Sequence, residues 1–218
     1  MTDPSISEAL EAGASAMGLG LSAGQRDSLL VLIDELQAWN RRFNLTAIRE
    51  PREMVAKHLL DSLSIQQWLH GASVADVGTG AGFPGLPLAV MNPQRRFALI
   101  ESTAKKARFV QHAAVAMGLD NVEVVNARAE AHKPATPFDT VVCRAVGKVS
   151  EFIRLAGHLC APGGRMLAMK GQYPEAELHD LPKGWRAVAI HRLDVPGLDA
   201  QRHLVELARY KKGTVPSS

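Results

Sequence analysis

The sequence predicts an α/β fold: a mostly parallel, seven-stranded sheet with helices on both faces, preceded by a wholly helical stretch of about 70 residues. Three observations carry this. From Ser73 onward, short β-rich runs alternate with helical runs, the pattern of parallel strands joined by crossover helices. The last two apolar runs, WRAVAIHRL and HLVELAR, are joined through Pro196 and Gly197 without a helix between them, which predicts an antiparallel hairpin at the sheet edge. Before Ser73, apolar residues recur instead at helical spacing.

In chain order, Ser22 followed by Gln25 has the form of a capping box, and Leu29, Leu32, Ile33, Leu36 and Trp39 then mark one face of an amphipathic helix. NLTAIREPREM breaks that helix, with Asn40, Asn44 and Thr46 placed to secure the turn, and MVAKHLLDSLSIQQWL resumes helical character until Gly71. The chain therefore divides into a helical extension, residues 1–70, and an α/β domain, residues 71–218. In the second part SVADV, RFALIE, VEVVNA, DTVVCRA and RMLAMK read as strands. Helices are expected over Ala104 to Met117, closed by Gly118, and over Ser150 to Leu159, closed by APGG.

Composition narrows the function classes. A chain of 218 residues with 46% hydrophobic and 22% charged residues can bury one sizeable core. No apolar run approaches the roughly 18 residues of a membrane span, and MTDPSISEAL lacks the basic start of a signal peptide, so a cytoplasmic location and no membrane partner are expected. Cys143 and Cys160 stand alone in apolar segments, and neither they nor the histidines have metal-ligand spacing, so no metal is expected and both thiols read as core. Net charge is −3 over residues 1–70 and +6 over residues 71–218. The basic excess falls where the glycine-rich segment lies, which favours an anionic partner there.

That segment, DVGTGAGFPG, contains GxGxxG at Gly80 to Gly85, with Glu101 about twenty residues on, where an acid can bind ribose hydroxyls. A pyrophosphate, however, is held by free amides at the start of the next helix, and Pro84 and Pro87 have none to give. A ligand without phosphates loses little by this. The acid-Gly-x-Gly-x-Gly order, with Asp76 leading, is similar to that of S-adenosylmethionine-dependent methyltransferases, in which the Asp76 carboxylate would organise the loop and meet the cationic amino-acid end of the cofactor, directly or through water. In NARAE, Ala129 and Glu130 fall where an adenine can be met by backbone and carboxylate, and APGGRML introduces the fifth strand as in such enzymes.

Together with WNRRFNLTAI, KHLLDSL, IESTAKKARF, CRAV and MKG, the segment DVGTGAGFPGLPLA closely resembles the RsmG (GidB) family, bacterial methyltransferases acting on guanine N7 of small-subunit (16S) ribosomal RNA. The resemblance runs from about Trp39 to Gly171. It implies a Rossmann-like class I methyltransferase fold, S-adenosylmethionine as cofactor, and contacts to it from Gly78, Phe83, Ala129, Glu130 and Arg144. Gly80 and Glu101 are added on physical grounds, for close loop approach and for ribose. Cys143 departs from the serine more usual before Arg-Ala.

A ring nitrogen such as guanine N7 already exposes a lone pair, so no catalytic base is expected. The chain carries CRAVGKV in place of the Asn/Asp-Pro-Pro-aromatic motif of enzymes acting on exocyclic amines. Arg144, at the end of the fourth strand, is the candidate for contact with cofactor and target base, the alternative being a cation satisfied by a nearby carboxylate. Lys105, Lys106 and Arg108 are candidates for contact with ribosomal RNA or an assembling small subunit, with Glu101 as another anionic partner and a solvated charged face as the alternatives, and Arg49, Arg52, Lys148 and Lys170 are further candidates. His58 and Asp61, three apart on a helix, could form a functional pair but read first as a surface hydrogen bond or a docking contact to the α/β core, and Trp39 reads as core before a base-stacking platform. Two other classes stay open. A nicotinamide-dependent oxidoreductase would account for Gly80, Gly82, Gly85 and Glu101, and a non-catalytic RNA-binding module would account for the basic excess.

Overall fold

The computed structural model describes residues 3–145 and 147–210. Val146 of CRAVGKV, and residues 1–2 and 211–218 at the ends of the two expected segments, lie outside the described residues.

The N-terminal part is helical throughout its elements. Helix α1 (Pro4–Ala16) is capped by Asp3, whose side chain accepts from the Ser5 amide. Helix α2 (Ala23–Phe43) begins at the expected capping box, with Ser22 and Gln25 exchanging side-chain and backbone hydrogen bonds. It ends at Asn44 in the left-handed region. Asn40 then ties the turn, accepting from the Thr46 amide at 3.0 Å and donating to the Thr46 carbonyl at 3.0 Å. Helix resumes at Pro51 rather than at Met54, because proline has no amide to leave unpaired in a first turn. After α3 (Pro51–Met54) the chain widens into a π-helical turn, Val55–Leu60, before α4 (Asp61–Leu63) and a 3-10 turn, Gln66–Trp68.

Seven strands follow: β1 (Ser73–Val77), β2 (Arg96–Ile100), β3 (Val122–Val125), β4 (Phe138–Arg144), β5 (Cys160–Lys170), β6 (Trp185–Leu193) and β7 (Arg202–Arg209). Between them lie α5 (Gly85–Met91), α6 (Ala104–Ala116), α7 (Val149–Ala156) and α8 (Glu175–Leu178). The sheet order is β3-β2-β1-β4-β5-β7-β6. β1 to β5 pair in parallel, while β7 is antiparallel to both β5 and β6, so the final hairpin occupies the edge as expected.

Two expectations need correction. APGG does not close a helix; Ala161 to Gly164 belong to β5, whose pairing with β4 slips in register between Phe138 and Thr140, and Gly163 takes φ +85° there. The preceding helix ends at Ala156 and tightens into a 3-10 turn, Gly157–Leu159.

Alternate residues face opposite sides of the sheet. Val74, Leu99, Val142, Leu167 and Met169 join the core formed with α1, α2, α5 and α6, whereas Ala75, Val77, Val141, Cys143 and Ala168 face α7. By that alternation Asp76 and Arg144 belong to the side covered by the N-terminal helices. Cys143 and Cys160 are both buried, the latter with its thiol pushed up to about 11 by burial, which fits core thiols.

Candidate functional site

The carboxyl ends of β1, β2, β4 and β5 converge on one edge, and the strand order reverses between β1 and β4, where a crevice opens in such sheets. The turn from β1 to α5 lies in that crevice, and its glycines fall into two groups. Gly78 and Gly80 have φ +68° and +63° and would direct an added Cβ into open space, with nothing within 4 Å of the first and only the Gly78 carbonyl, at 3.9 Å, near the second. Gly82 and Gly85 face inward: a Cβ on Gly82 would enter the Leu86 side chain, and one on Gly85 would enter Leu99 and lie 2.8 Å from Asp76 Oδ2. The first pair leaves room for a ligand to approach the backbone. The second pair lets helix and sheet close together.

Most amides of this turn are already engaged. Gly78 and Thr79 N–H donate to the Ile100 carbonyl, Gly82 and Phe83 N–H to the Thr79 carbonyl, and Leu86 N–H to the Gly82 carbonyl. Gly80 N–H donates to Glu101 Oε2 at 3.0 Å and Gly85 N–H to Asp76 Oδ2 at 2.8 Å. With Pro84 and Pro87 beside them, the start of α5 offers no cluster of amides to a pyrophosphate.

Asp76 is fully buried beneath the loop, and its Oδ2 also accepts from the Thr79 hydroxyl at 2.6 Å. Through Oδ2 it organises the loop from below. Its Oδ1 is buried without a hydrogen-bond partner. Burial pushes its carboxyl up to about 6, against the Thr79 and Gly85 donors and the Arg144 charge. Glu101, 6% exposed at the end of β2, accepts from Thr103 N–H at 2.7 Å as well as from Gly80. Each of its oxygens keeps further lone-pair capacity for a ligand hydroxyl. Ala129 and Glu130 sit in a 3-10 turn, Ala129–Ala131, beyond β3, the alanine buried and the glutamate exposed.

Arg144 leaves the end of β4 toward the π-helical turn. Its Nη1 donates to Asp61 Oδ2 at 3.1 Å and to the Lys57 carbonyl at 3.0 Å, and its Nη2 lies 3.4 Å from His58 Nδ1. Its Cζ stands 5.3 Å from the centre of the Phe83 ring, and His58 stacks on the same ring at 4.6 Å and 15°. A guanidinium only donates, so His58 Nδ1 is the bare nitrogen and Nε2–H points at Thr46 Oγ1, 3.0 Å away. Burial first, and the Arg144 charge next, hold this imidazole down at about 3. His58 and Asp61 thus join the N-terminal helices to the sheet through Arg144 and Phe83. This is a docking contact, made to partners that the spacing of the two residues does not reveal.

Of the expected RNA-facing residues, Lys105 and Arg108 are exposed at the start of α6, the Lys105 ammonium 5.7 Å from the Phe43 ring, and Lys106 is half-buried. Arg49, Arg52 and Lys148 are exposed, Arg49 donating to Asn44 Oδ1 at 3.2 Å. Lys170 is turned inward, donating to the Gly147 carbonyl at 2.6 Å and pairing with Glu177 at 2.8 Å, while Glu177 also accepts from Val149 N–H. Sequence reasoning missed Glu177 and Arg202. Trp39 is half-buried at the margin of the core, against buried Phe109 and the exposed Phe43 and His112.

A family model described as rRNA small subunit methyltransferase G (GidB) matches residues 25–205. The chain is 52% identical to the ribosomal RNA small subunit methyltransferase G of Methylococcus capsulatus over 198 residues, covering 91% of this chain and 96% of that protein. It is 46% identical to the protein of the same name from Nitrosococcus oceani over 204 residues, covering 94% and 95%. Among solved structures it resembles a SAM-dependent methyltransferase from Aquifex aeolicus, with TM-score 0.56 and 18% identity over 75% of this chain and 96% of that one. Another likeness is a SAM-dependent methyltransferase from Thiobacillus denitrificans in complex with S-adenosyl-L-homocysteine, with TM-score 0.51 and 16% identity over 69% and 90%. The fold is that of the Rossmann-like class I methyltransferases, and the chain belongs to the GidB family of small-subunit ribosomal RNA methyltransferases.

Proposed function

We propose that this chain transfers a methyl group from S-adenosylmethionine to N7 of a guanosine in small-subunit (16S) ribosomal RNA. The observation that carries the reading is the glycine turn, open to a ligand at Gly78 and Gly80 while most of its amides are spent on Ile100, Thr79, Glu101 and Asp76. Such a turn suits an adenosyl ligand without phosphates and argues against a dinucleotide.

S-adenosylmethionine supplies an electrophilic methyl group when bound. In this proposal Gly78 and Gly80 permit close approach, Glu101 takes the ribose hydroxyls, Ala129 and Glu130 meet the adenine, and Phe83 and Arg144 close the crevice toward the methyl end. The target N7 brings its own lone pair, so the protein's task is orientation at about 3 to 3.5 Å, an effect that supplies roughly 7 to 11 kcal/mol. His58 fits this scheme as a neutral support for Arg144 and Phe83, its single proton held toward Thr46.

Residues 71–218 act as the methyltransferase domain and residues 1–70 as a helical extension bounding the crevice, with the exposed Lys105, Arg108 and Lys148 toward RNA phosphate. A cytoplasmic location follows from a ribosomal substrate. Among the described residues no helix is long and apolar enough to cross a membrane, and no group of three or more His, Cys, Asp or Glu is placed to hold a metal. The test is mass mapping of methylated nucleosides in ribosomal RNA from cells with and without the chain. One 7-methylguanosine in the small-subunit RNA should disappear on deletion and return on complementation; an unchanged map contradicts the proposal.

A further inference from the structure

We infer that Asp61 is a positioning residue: its carboxylate, shared between Arg144 and Arg202, fixes the Arg144 guanidinium at the rim of the glycine crevice, where that guanidinium meets the target nucleotide. The inference rests on the methyl-transfer reading of the crevice and adds to it a residue that touches neither cofactor nor RNA.

Asp61 is 2% exposed, and each of its oxygens serves a different arginine, Oδ2 taking Arg144 Nη1 at 3.1 Å and Oδ1 taking Arg202 Nε at 2.9 Å. The three residues come from α4, β4 and β7, so one carboxylate ties the helical extension to the fourth strand and to the edge hairpin. The π-helical turn contributes directly. Asp61 N–H reaches the carbonyls of Ala56 and His58, and the Lys57 carbonyl, which an α-helix would give to that amide, accepts from Arg144 instead. The same guanidinium lies against Phe83, on which His58 stacks, so its position is fixed from several sides.

A buried ion cluster is a weak source of stability, because desolvation offsets much of the attraction. What this one supplies is geometry and charge. Two guanidiniums against one carboxylate, beside a neutral His58, leave one positive charge in excess within the cluster, facing Asp76 and Glu101 across the crevice. Guanine O6 and RNA phosphate are the acceptors that an arginine held this way can meet.

The test uses the full chain with Asp61→Asn, Arg144→Ala and the double variant, read by single-turnover methyl transfer to small-subunit RNA and by calorimetric binding of S-adenosylhomocysteine. Asp61→Asn is expected to lower the transfer rate about 100-fold, the effect of a misplacement of about 1 Å, with a much smaller loss of S-adenosylhomocysteine affinity. In the Arg144→Ala background it should cost nothing further, since its route is gone. A rate kept near wild type in Asp61→Asn, or the same loss repeated on top of Arg144→Ala, overturns the inference. Should Asp61→Asn fail to fold, Arg202→Gln releases one side of the clamp and should lower the rate at unchanged cofactor affinity; an unaltered rate overturns it equally. A wild-type chain that binds S-adenosylhomocysteine but methylates no RNA contradicts the proposed function instead. The placement is then read from phenylglyoxal modification of Arg144, which Asp61→Asn should accelerate and which an unchanged rate refutes.

Discussion

Replacing Gly78 and Gly85 with alanine, one at a time, separates the two jobs assigned to the glycine turn. At Gly78, φ +68°, a Cβ meets no protein atom within 4 Å, so the cost to the fold is backbone strain alone. A left-handed alanine costs about 1 to 2 kcal/mol. Loss of glycine's freedom in the unfolded chain returns about 0.4 to 1 kcal/mol, leaving a net of order 1 kcal/mol or a drop of about 2 to 4 °C in Tm. The methyl nevertheless projects into the crevice, so S-adenosylhomocysteine affinity should fall at least tenfold, about 1.4 kcal/mol. At Gly85 the added carbon enters Leu99 and lies 2.8 Å from Asp76 Oδ2 and 3.2 Å from Asp76 Cβ. Overpacking of that kind costs about 1 to 3 kcal/mol, so Tm should fall by up to about 10 °C, with ligand affinity nearly kept when measured well below the transition. Thermal melting and calorimetry on both variants decide the matter. Undiminished affinity in Gly78→Ala, or an unmoved Tm in Gly85→Ala, would refute the division.

The buried titratable groups predict opposing pH slopes. Folded His58, held at about 3, binds fewer protons than unfolded His58, so its contribution to stability is present above about 6.5 and is lost as pH falls toward 3. At pH 5 the loss is about 2 kcal/mol, and His58→Gln should flatten Tm between pH 7.5 and 5; an identical slope in the variant contradicts it. Asp76, pushed up to about 6, works the other way: folded Asp76 keeps its proton longer than unfolded Asp76, so its contribution falls as pH rises from about 4 to 6. Asp76→Asn should remove that fall, and persistence of it would assign the fall to another group. For RNA, affinity should decline with salt by about 0.7 logarithmic units per phosphate contact, so Lys105→Ala with Arg108→Ala should make the slope shallower by about 1.4. A salt-independent affinity removes these side chains from the interface.

Local pattern made much of the fold legible. SVADV and WRAVAIHRL coincide with β1 and β6, and Ser22 with Gln25 marked the start of α2, because strand composition and capping chemistry are properties of neighbouring residues. The π-helical turn has no such signature: VAKHLL reads as ordinary helix, and the wider turn becomes evident only where the Lys57 carbonyl accepts from Arg144, 87 residues away. For the same reason Asp61 looked like a partner of His58, whereas it serves Arg144 and Arg202, 83 and 141 residues distant. Asp76 was legible as the acid that leads the loop. That it lies beneath the turn and holds Thr79 and Gly85 follows from the alternation of β1 and the closeness that Gly85 permits to α5.

The central claim, that the turn at Gly78 and Gly80 receives an adenosyl ligand, is tested most directly by a crystal structure of the chain grown with S-adenosylhomocysteine. The account predicts the ligand lying over Gly78 and Gly80, with its ribose hydroxyls on Glu101 and its homocysteine end toward Phe83 and Arg144. An empty crevice at saturating ligand, or a ligand seated elsewhere with Glu101 bonded only to Gly80 and Thr103, would contradict it.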